Sequence, residues 1–140
     1  VSSYANNPKT PYSGSKVLEV SISDSAQNAD GYGGARAEHG ITREYASPIN
    51  ATANPRLQFA INSYGGCPGA TKYNVTVRVY SGNNIIEGKA QMTPDSWNTY
   101  SMDLSGWSYK TSIDKVKIWF STDSTFVWDA RFQVDKFGFQ

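Results

Sequence analysis

Residues 73–80 read Tyr-Asn-Val-Thr-Val-Arg-Val-Tyr, and this stretch decides the fold. Tyr73, Val75, Val77 and Val79 alternate with polar residues, which is the period-two pattern of a β-strand with one face in a core. β-branched and aromatic side chains also suit the pleated surface of a sheet. The stretch therefore predicts a half-buried strand over residues 72–80.

The same alternation recurs along the rest of the chain. The other segments that show it are 17–23, 35–43, 56–63, 85–91, 97–104, 113–122 and 126–134. Turn residues separate several of them, such as Ser-Gly-Asn-Asn at 81–84 and Thr-Pro-Asp-Ser at 93–96. No window shows a sustained helical stripe, so we expect helices of a single turn at most. The pattern predicts two packed antiparallel sheets of about eight strands.

The alternation changes phase in the closing segment. Phe132 and Val134 are in step with each other, whereas Phe137 and Phe139 are out of step with them. One extra residue in the strand would bring both pairs to the same face. The sequence therefore predicts a β-bulge near Asp135–Lys136.

Length and composition predict one folded domain over residues 1–140. The chain is 39% hydrophobic and 18% charged, which is enough apolar material for one core. Its net charge of +1 is too small for a general nucleic-acid or membrane binder. It has no long apolar run, so we expect no membrane-spanning segment. Cys67 is the single cysteine, so an internal disulfide is excluded and a metal would need oxygen ligands.

The C-terminal half resembles the jelly-roll carbohydrate-binding modules of bacterial polysaccharide-degrading enzymes. The similarity lies in the Val-rich strand at 73–80, the Trp-led strand at 97–107, the Ile-Asp-Lys-Val strand from 113 and the closing strand at 128–139. It implies a jelly roll, a secreted bacterial location and a covalently linked catalytic domain. It also implies a monomeric, non-catalytic module. The N-terminal half lacks the acidic-aromatic first strand of familiar members, so the sugar does not carry over.

Trp119 is the strongest candidate for sugar binding. Its neighbours Ile118 and Phe120 are in core phase, so alternation turns the indole outward together with Lys115 and Lys117. An exposed aromatic ring offers the apolar surface on which the C–H face of a sugar stacks. The alternative is a surface tryptophan that a loop covers or that lies against lysine stems.

Outward phase places further polar side chains around that ring. Arg78, Tyr80 and Lys117 lie on strands that line the concave face in similar modules, with Lys115 and Arg36 as further basic candidates. Guanidinium groups bind carboxylates in a bidentate way, so a basic groove predicts an acidic polysaccharide such as a uronate- or pyruvate-bearing polymer. The alternative for each residue is an ordinary solvated surface, and we expect solvation for other outward residues such as Asn62 and Gln133.

A calcium site is expected at Asp135. The resemblance implies it, because similar modules bind a structural Ca²⁺ partly through the aspartate of the closing strand. Asp24 and Asp30 flank a polar loop that offers further oxygen ligands. The alternative is that Asp135 pairs with a lysine.

Catalysis is the weaker reading of the sequence. His39, the single histidine, shares its phase with Ala37 and Ile41, which predicts a buried imidazole. The Arg36-to-Glu38 segment resembles the Arg-x-Glu segment of jelly-roll alginate lyases, but their Gln-x-His and Tyr-x-Lys segments are missing. A small lyase or hydrolase therefore stays an alternative. A β-sandwich adhesion or structural domain that binds protein is another.

These observations together favour a non-catalytic module. It would bind a polysaccharide chain along a concave sheet face and so direct an attached glycoside hydrolase or polysaccharide lyase to its substrate.

Overall fold

The computed structural model describes residues 12–14, 18–22, 40–64, 71–122 and 130–140. The strands are β1 (Leu18–Ile22), β2 (Gly40–Ile49), β3 (Arg56–Tyr64), β4 (Tyr73–Ser81), β5 (Asn84–Met92), β6 (Asn98–Asp103), β7 (Ile113–Thr122) and β8 (Ala130–Phe139). The one helix in these ranges is a 3-10 turn at Lys110–Ser112, as the sequence predicts. None of the described helical segments has the length and apolarity to cross a membrane.

The strands form two four-stranded antiparallel sheets with the order of a jelly roll. One sheet runs β1-β8-β3-β6 and the other β2-β7-β4-β5. Among the described strands, consecutive ones lie in opposite sheets except β4 and β5, which pair as a hairpin. The predicted β-sandwich of eight strands is therefore confirmed, with the jelly-roll connections that the resemblance implies.

A tight turn fixes the register of the β4–β5 hairpin. Ser81 pairs with Asn84, so the loop contains two residues, and its first residue Gly82 has a φ of 55°. Glycine adopts this left-handed conformation without a steric cost, and two-residue turns of this kind match the twist of paired strands. The backbone N–H of Gly82 also donates to Asp114 Oδ2 over 2.7 Å. Every cross-strand pair of the hairpin follows from this turn.

The core lies between the sheets and contains the side chains that alternation predicts. Val75, Val77 and Val79 of β4 are buried, and so are Ile118 and Phe120 of β7. The predicted inward residues of β6 and its end, namely Tyr100, Met102 and Leu104, are buried as well. Strand phase is therefore a sound guide to which residues of these strands face outward.

The closing strand β8 contains the β-bulge that its sequence predicts. The register of β8 against β3 shifts by one residue, and Lys136 has a left-handed φ of 49° at that point. After the bulge Phe137 and Phe139 pack against the core. The extra residue thus returns both phenylalanines to the face of Phe132.

Two strands extend well beyond the sequence-based expectation, whereas most other boundaries differ by a single residue. The last strand continues through the bulge to Phe139 rather than ending at 134. Alternation predicts a strand over 35–43, of which 35–39 lie outside the described residues, and strand β2 continues to Ile49. The pairing of β2 with β7 shifts between Glu44 and Ile49, so this edge strand is irregular and its alternation is lost.

Gly88 gives a first test of the packing. A Cβ at this position of β5 would collide with the Tyr100 hydroxyl, and the Tyr100 ring is stacked on Phe59 at 4.9 Å. We expect Gly88→Ala to lower the free energy of unfolding by about 1–3 kcal/mol, because an overfilled core shifts its side chains. Urea denaturation measures this, with Gly106→Ala as the control, since a Cβ at Gly106 meets nothing within 4 Å. Equal stability of the two variants would contradict the packing of Tyr100 against β5.

Candidate functional site

The candidate site is the outer face of the β2-β7-β4-β5 sheet. The cross-strand register brings outward side chains of the three strands β7, β4 and β5 together. We call these seven residues the β4–β7 face: Trp119, Lys117, Lys115, Arg78, Tyr80, Glu87 and Lys89. Five of the predicted site residues therefore meet on one surface, namely Trp119, Arg78, Tyr80, Lys117 and Lys115.

Trp119 lies outward on the central strand β7, as its phase predicts. Its neighbours Ile118 and Phe120 are 1% and 0% exposed in the core, whereas the indole is half-buried on the opposite side of the strand. Its cross-strand partner on β4 is Thr76, which is 4% exposed. Because its two neighbours in β7 face the core, the ring lies on the outer surface of the sheet.

Arg78 lies over the Trp119 ring and is held there by Glu87. The guanidinium carbon is 4.8 Å from the centroid of the indole. Nε of Arg78 donates to Glu87 Oε2 over 2.6 Å, and Glu87 is the residue directly opposite Arg78 in the hairpin. Lys89 Nζ lies 3.3 Å from the other carboxylate oxygen. A cation–π contact and a charge-assisted hydrogen bond thus position the same guanidinium.

The charges of this pair reinforce each other. The hydrogen bond from Arg78 lowers the pKa of the Glu87 carboxyl, with a smaller contribution from Lys89, while desolvation opposes the shift. The hydrogen bond to Glu87 in turn raises the pKa of Arg78, and the hydrogen bond with Tyr80 raises it further by a smaller amount. Both groups are therefore ionised at neutral pH.

Tyr80 and Lys115 form a second cation–aromatic pair beside the first. Lys115 Nζ is 4.5 Å from the centroid of the Tyr80 ring, and the two residues are cross-strand partners. Ile85, the partner of Tyr80 on β5, is 51% exposed. This end of the β4–β7 face is therefore an apolar floor with an ammonium group above it.

Glu87 and Lys89 are the residues of this face that strand alternation does not identify. Strand β5 has a weak apolar alternation, so its outward phase gives no clear signal. The two-residue turn at Gly82 does identify them. Counting residues outward from the turn along both strands pairs Arg78 with Glu87. Turn geometry is therefore more informative here than hydrophobicity.

Two predicted site residues are not brought to this face. Arg36 lies outside the described residues, and Asp135 is on β8 in the other sheet. Asp135 Oδ2 accepts the backbone N–H of Ser13 over 2.8 Å, and Oδ1 accepts that of Lys136 over 2.6 Å. Within the described ranges no three His, Cys, Asp or Glu residues cluster as metal ligands. The calcium site at Asp135 stays a prediction, because Asp24 and Asp30 lie outside the described residues.

The outer face of the other sheet is partly covered. Asn62 and Gln133 have outward phase there, but they are 2% and 3% exposed, so the expectation that they are solvated is wrong. Residues 12–14 lie on this side of the sandwich, since Tyr12 packs edge-on against Trp97 at 5.8 Å and Ser13 binds Asp135. Cover from a segment distant in sequence is a tertiary effect that alternation does not report. The outer face of the β1-β8-β3-β6 sheet therefore carries buried polar side chains that strand phase turns outward.

A cavity of about 540 Å³ lies elsewhere, between the sheets at the edge formed by β1 and β2. Its walls are core-phase side chains such as Ile41, Ile118 and Phe137. Tyr45 lies at its lining with Arg43 5.6 Å from the ring, and burial raises the pKa of the phenol, opposed by the charge of Arg43. This cavity is separate from the β4–β7 face, because Ile118 and Trp119 point to opposite sides of β7.

No known protein-family profile matches the sequence, and no curated protein matches it. Among solved structures, the fold is similar to part of the crystal structure of the CBM22-1 and GH10 modules of Clostridium thermocellum endo-1,4-β-D-xylanase 10B, complexed with xylohexaose. The TM-score is 0.41 and the sequences are 13% identical over 87% of this chain. The match covers 24% of the xylanase chain, so this chain spans about a quarter of its length.

Proposed function

We propose that this chain is a non-catalytic carbohydrate-binding module that binds a polysaccharide along the β4–β7 face. The observation that carries the proposal is the outward indole of Trp119 on a central strand, surrounded by side chains with several hydrogen-bonding groups. Sugar recognition needs this combination of an apolar ring surface and planar polar groups. Arg78 covers part of the ring and supplies planar N–H donors beside the ring surface that stays exposed.

The charge of the face supports an acidic ligand. Its basic side chains are Arg78, Lys89, Lys115 and Lys117, and the carboxylates of the same sheet face are Glu44 and Glu87. The excess of positive charge attracts polyanions, and the attraction weakens with salt. A uronate-bearing polysaccharide therefore fits the face better than a neutral glucan.

Affinity electrophoresis tests both parts of the proposal. The chain is run through native gels that contain polygalacturonate, xylan or a soluble β-glucan. We expect retardation in polygalacturonate, with a dissociation constant of roughly micromolar to millimolar, because shallow polar contacts replace hydrogen bonds to water. Equal retardation by all three polymers would contradict the acidic preference. Free migration in every gel would contradict polysaccharide binding itself.

A protein-binding adhesion domain would need a contiguous apolar patch. The large apolar side chains that are exposed among the described residues are Tyr12, Leu18, Ile85 and Tyr109. They belong to different elements of the described structure, and of these four only Ile85 lies on a strand of the candidate site.

The setting of the module follows from the same proposal. It would be secreted by a bacterium and linked to a glycoside hydrolase or polysaccharide lyase, whose local substrate concentration it raises. A structural Ca²⁺ bound in part by Asp135 stays a prediction. Melting curves with and without EDTA test it: a lower melting temperature with EDTA is expected if the ion binds only the folded chain.

A further inference from the structure

Glu87 occupies the guanidinium that an anionic sugar would use. The side chains of Arg78 and Glu87 are 31% and 32% exposed, so the pair lies within reach of a ligand. We infer that Glu87 is a specificity-determining residue, an internal carboxylate that weakens the binding of acidic glycans relative to neutral ones. This inference rests on the proposed function and adds to it the residue that sets the charge preference.

The geometry shows how the discrimination works. Arg78 is 2.6 Å from Glu87 and lies over Trp119, so a ligand carboxylate that binds Arg78 must approach a like charge. Two neighbouring carboxylates repel each other, and this repulsion lowers the affinity for the second one. A neutral sugar carries no such charge, and its hydroxyls need only the donors and acceptors of the face.

Lys89 limits the repulsion between Glu87 and a ligand carboxylate. Its ammonium group lies 3.3 Å from Glu87 Oε1, on the side of the carboxylate that Arg78 does not contact. When a ligand takes over Arg78, Glu87 therefore retains one cationic partner. Glu87 therefore lowers the affinity of the basic face for acidic glycans without reversing the preference of the face for them, which is the behaviour expected of a residue that tunes specificity.

Glu87→Gln is the variant that isolates the charge. The amide keeps the shape of the side chain and an oxygen that still accepts the Nε–H of Arg78. We expect the ratio of the affinity for polygalacturonate to that for xylan to rise about two- to fivefold, the size of an exposed charge interaction. The difference should shrink in 1 M NaCl, where the Debye length is only about 3 Å and exposed charges are strongly screened.

Glu44→Gln is the matched control. It removes the same charge from the same sheet face, but Glu44 lies opposite Lys115 on the edge strand β2 and is not the partner of Arg78. We expect a smaller rise of the affinity ratio than for Glu87→Gln. An equal rise would show that only the total charge of the face matters, which would overturn the role of Glu87.

A spectroscopic readout separates this inference from the proposed function. The Nε–H resonance of Arg78 reports its acceptor, and we expect it to shift when polygalacturonate is titrated in. A wild-type chain that binds polygalacturonate while this resonance stays unchanged would overturn the inference and leave the proposed function standing. Absence of binding to polygalacturonate and xylan by the wild type and by both variants would overturn the two together.

Discussion

Trp119→Ala is expected to abolish measurable polysaccharide binding while the domain stays folded. Large aromatic anchors in binding surfaces contribute about 2 kcal/mol or more, which is roughly a thirtyfold loss of affinity. A module with a dissociation constant near a millimolar would then show no retardation in an affinity gel, and one near a micromolar would bind about thirtyfold more weakly. The indole is half-buried on the outer sheet face, so its removal leaves the core between the sheets intact.

The measurement combines affinity electrophoresis with a urea denaturation curve of the same sample. We expect the free energy of unfolding to change by no more than about 1 kcal/mol, as for substitutions outside the core. Tyr109→Ala serves as the control, because Tyr109 is 48% exposed but lies outside the β4–β7 face. A Trp119→Ala chain that is retarded as strongly as the wild type would reject the site.

Strand phase is the part of this structure that the sequence predicts well. Each strand has a core face, and a period of two follows directly from the pleat, so buried neighbours such as Ile118 and Phe120 determine where Trp119 points. The bulge at Asp135–Lys136 is predictable for the same reason, because a phase change needs an extra residue. Local geometry is sufficient for both conclusions.

Pairing between strands is what the sequence leaves open. The jelly-roll order places β7 beside β4, with the whole of β5 and β6 between them in the chain. Period-two alternation is the same whichever strand lies alongside, so it does not reveal that Arg78 meets Trp119 and Lys117. The contact of Arg78 with Glu87 is the exception, because a two-residue turn fixes that register locally.

The burial of polar residues cannot be predicted from the sequence for a different reason. Asn62 and Gln133 alternate with core residues and therefore look solvated in sequence, yet both are buried in the structure. Gln133 Nε2 donates to Glu19 Oε2 over 3.1 Å, so a cross-strand partner accepts its amide hydrogen. Their burial depends on which other segments cover the sheet, and that depends on the whole tertiary fold.

Phe120→Ala is expected to destabilise the fold, whereas Trp119→Ala removes binding from a folded chain, although the two residues are adjacent in β7. Phe120 is fully buried, with its ring centroid 5.9 Å from Phe132 of the other sheet and 6.0 Å from Tyr73. Its truncation opens a cavity where the two sheets pack together, at a cost of about 3–5 kcal/mol. Native domains are stable by only about 5–15 kcal/mol, so the variant should be close to unfolding.

Urea and thermal denaturation measure this loss, and we expect the melting temperature to fall by roughly 10–15 °C. Phe120→Leu should lose much less, because it keeps most of the buried apolar volume. Any loss of polysaccharide binding by Phe120→Ala should follow its unfolded fraction, whereas that of Trp119→Ala should occur in a folded chain. If Phe120→Ala unfolded at the wild-type urea concentration, β7 would not present position 120 to the core. The outward direction of Trp119, and the proposed site with it, would then have no physical basis.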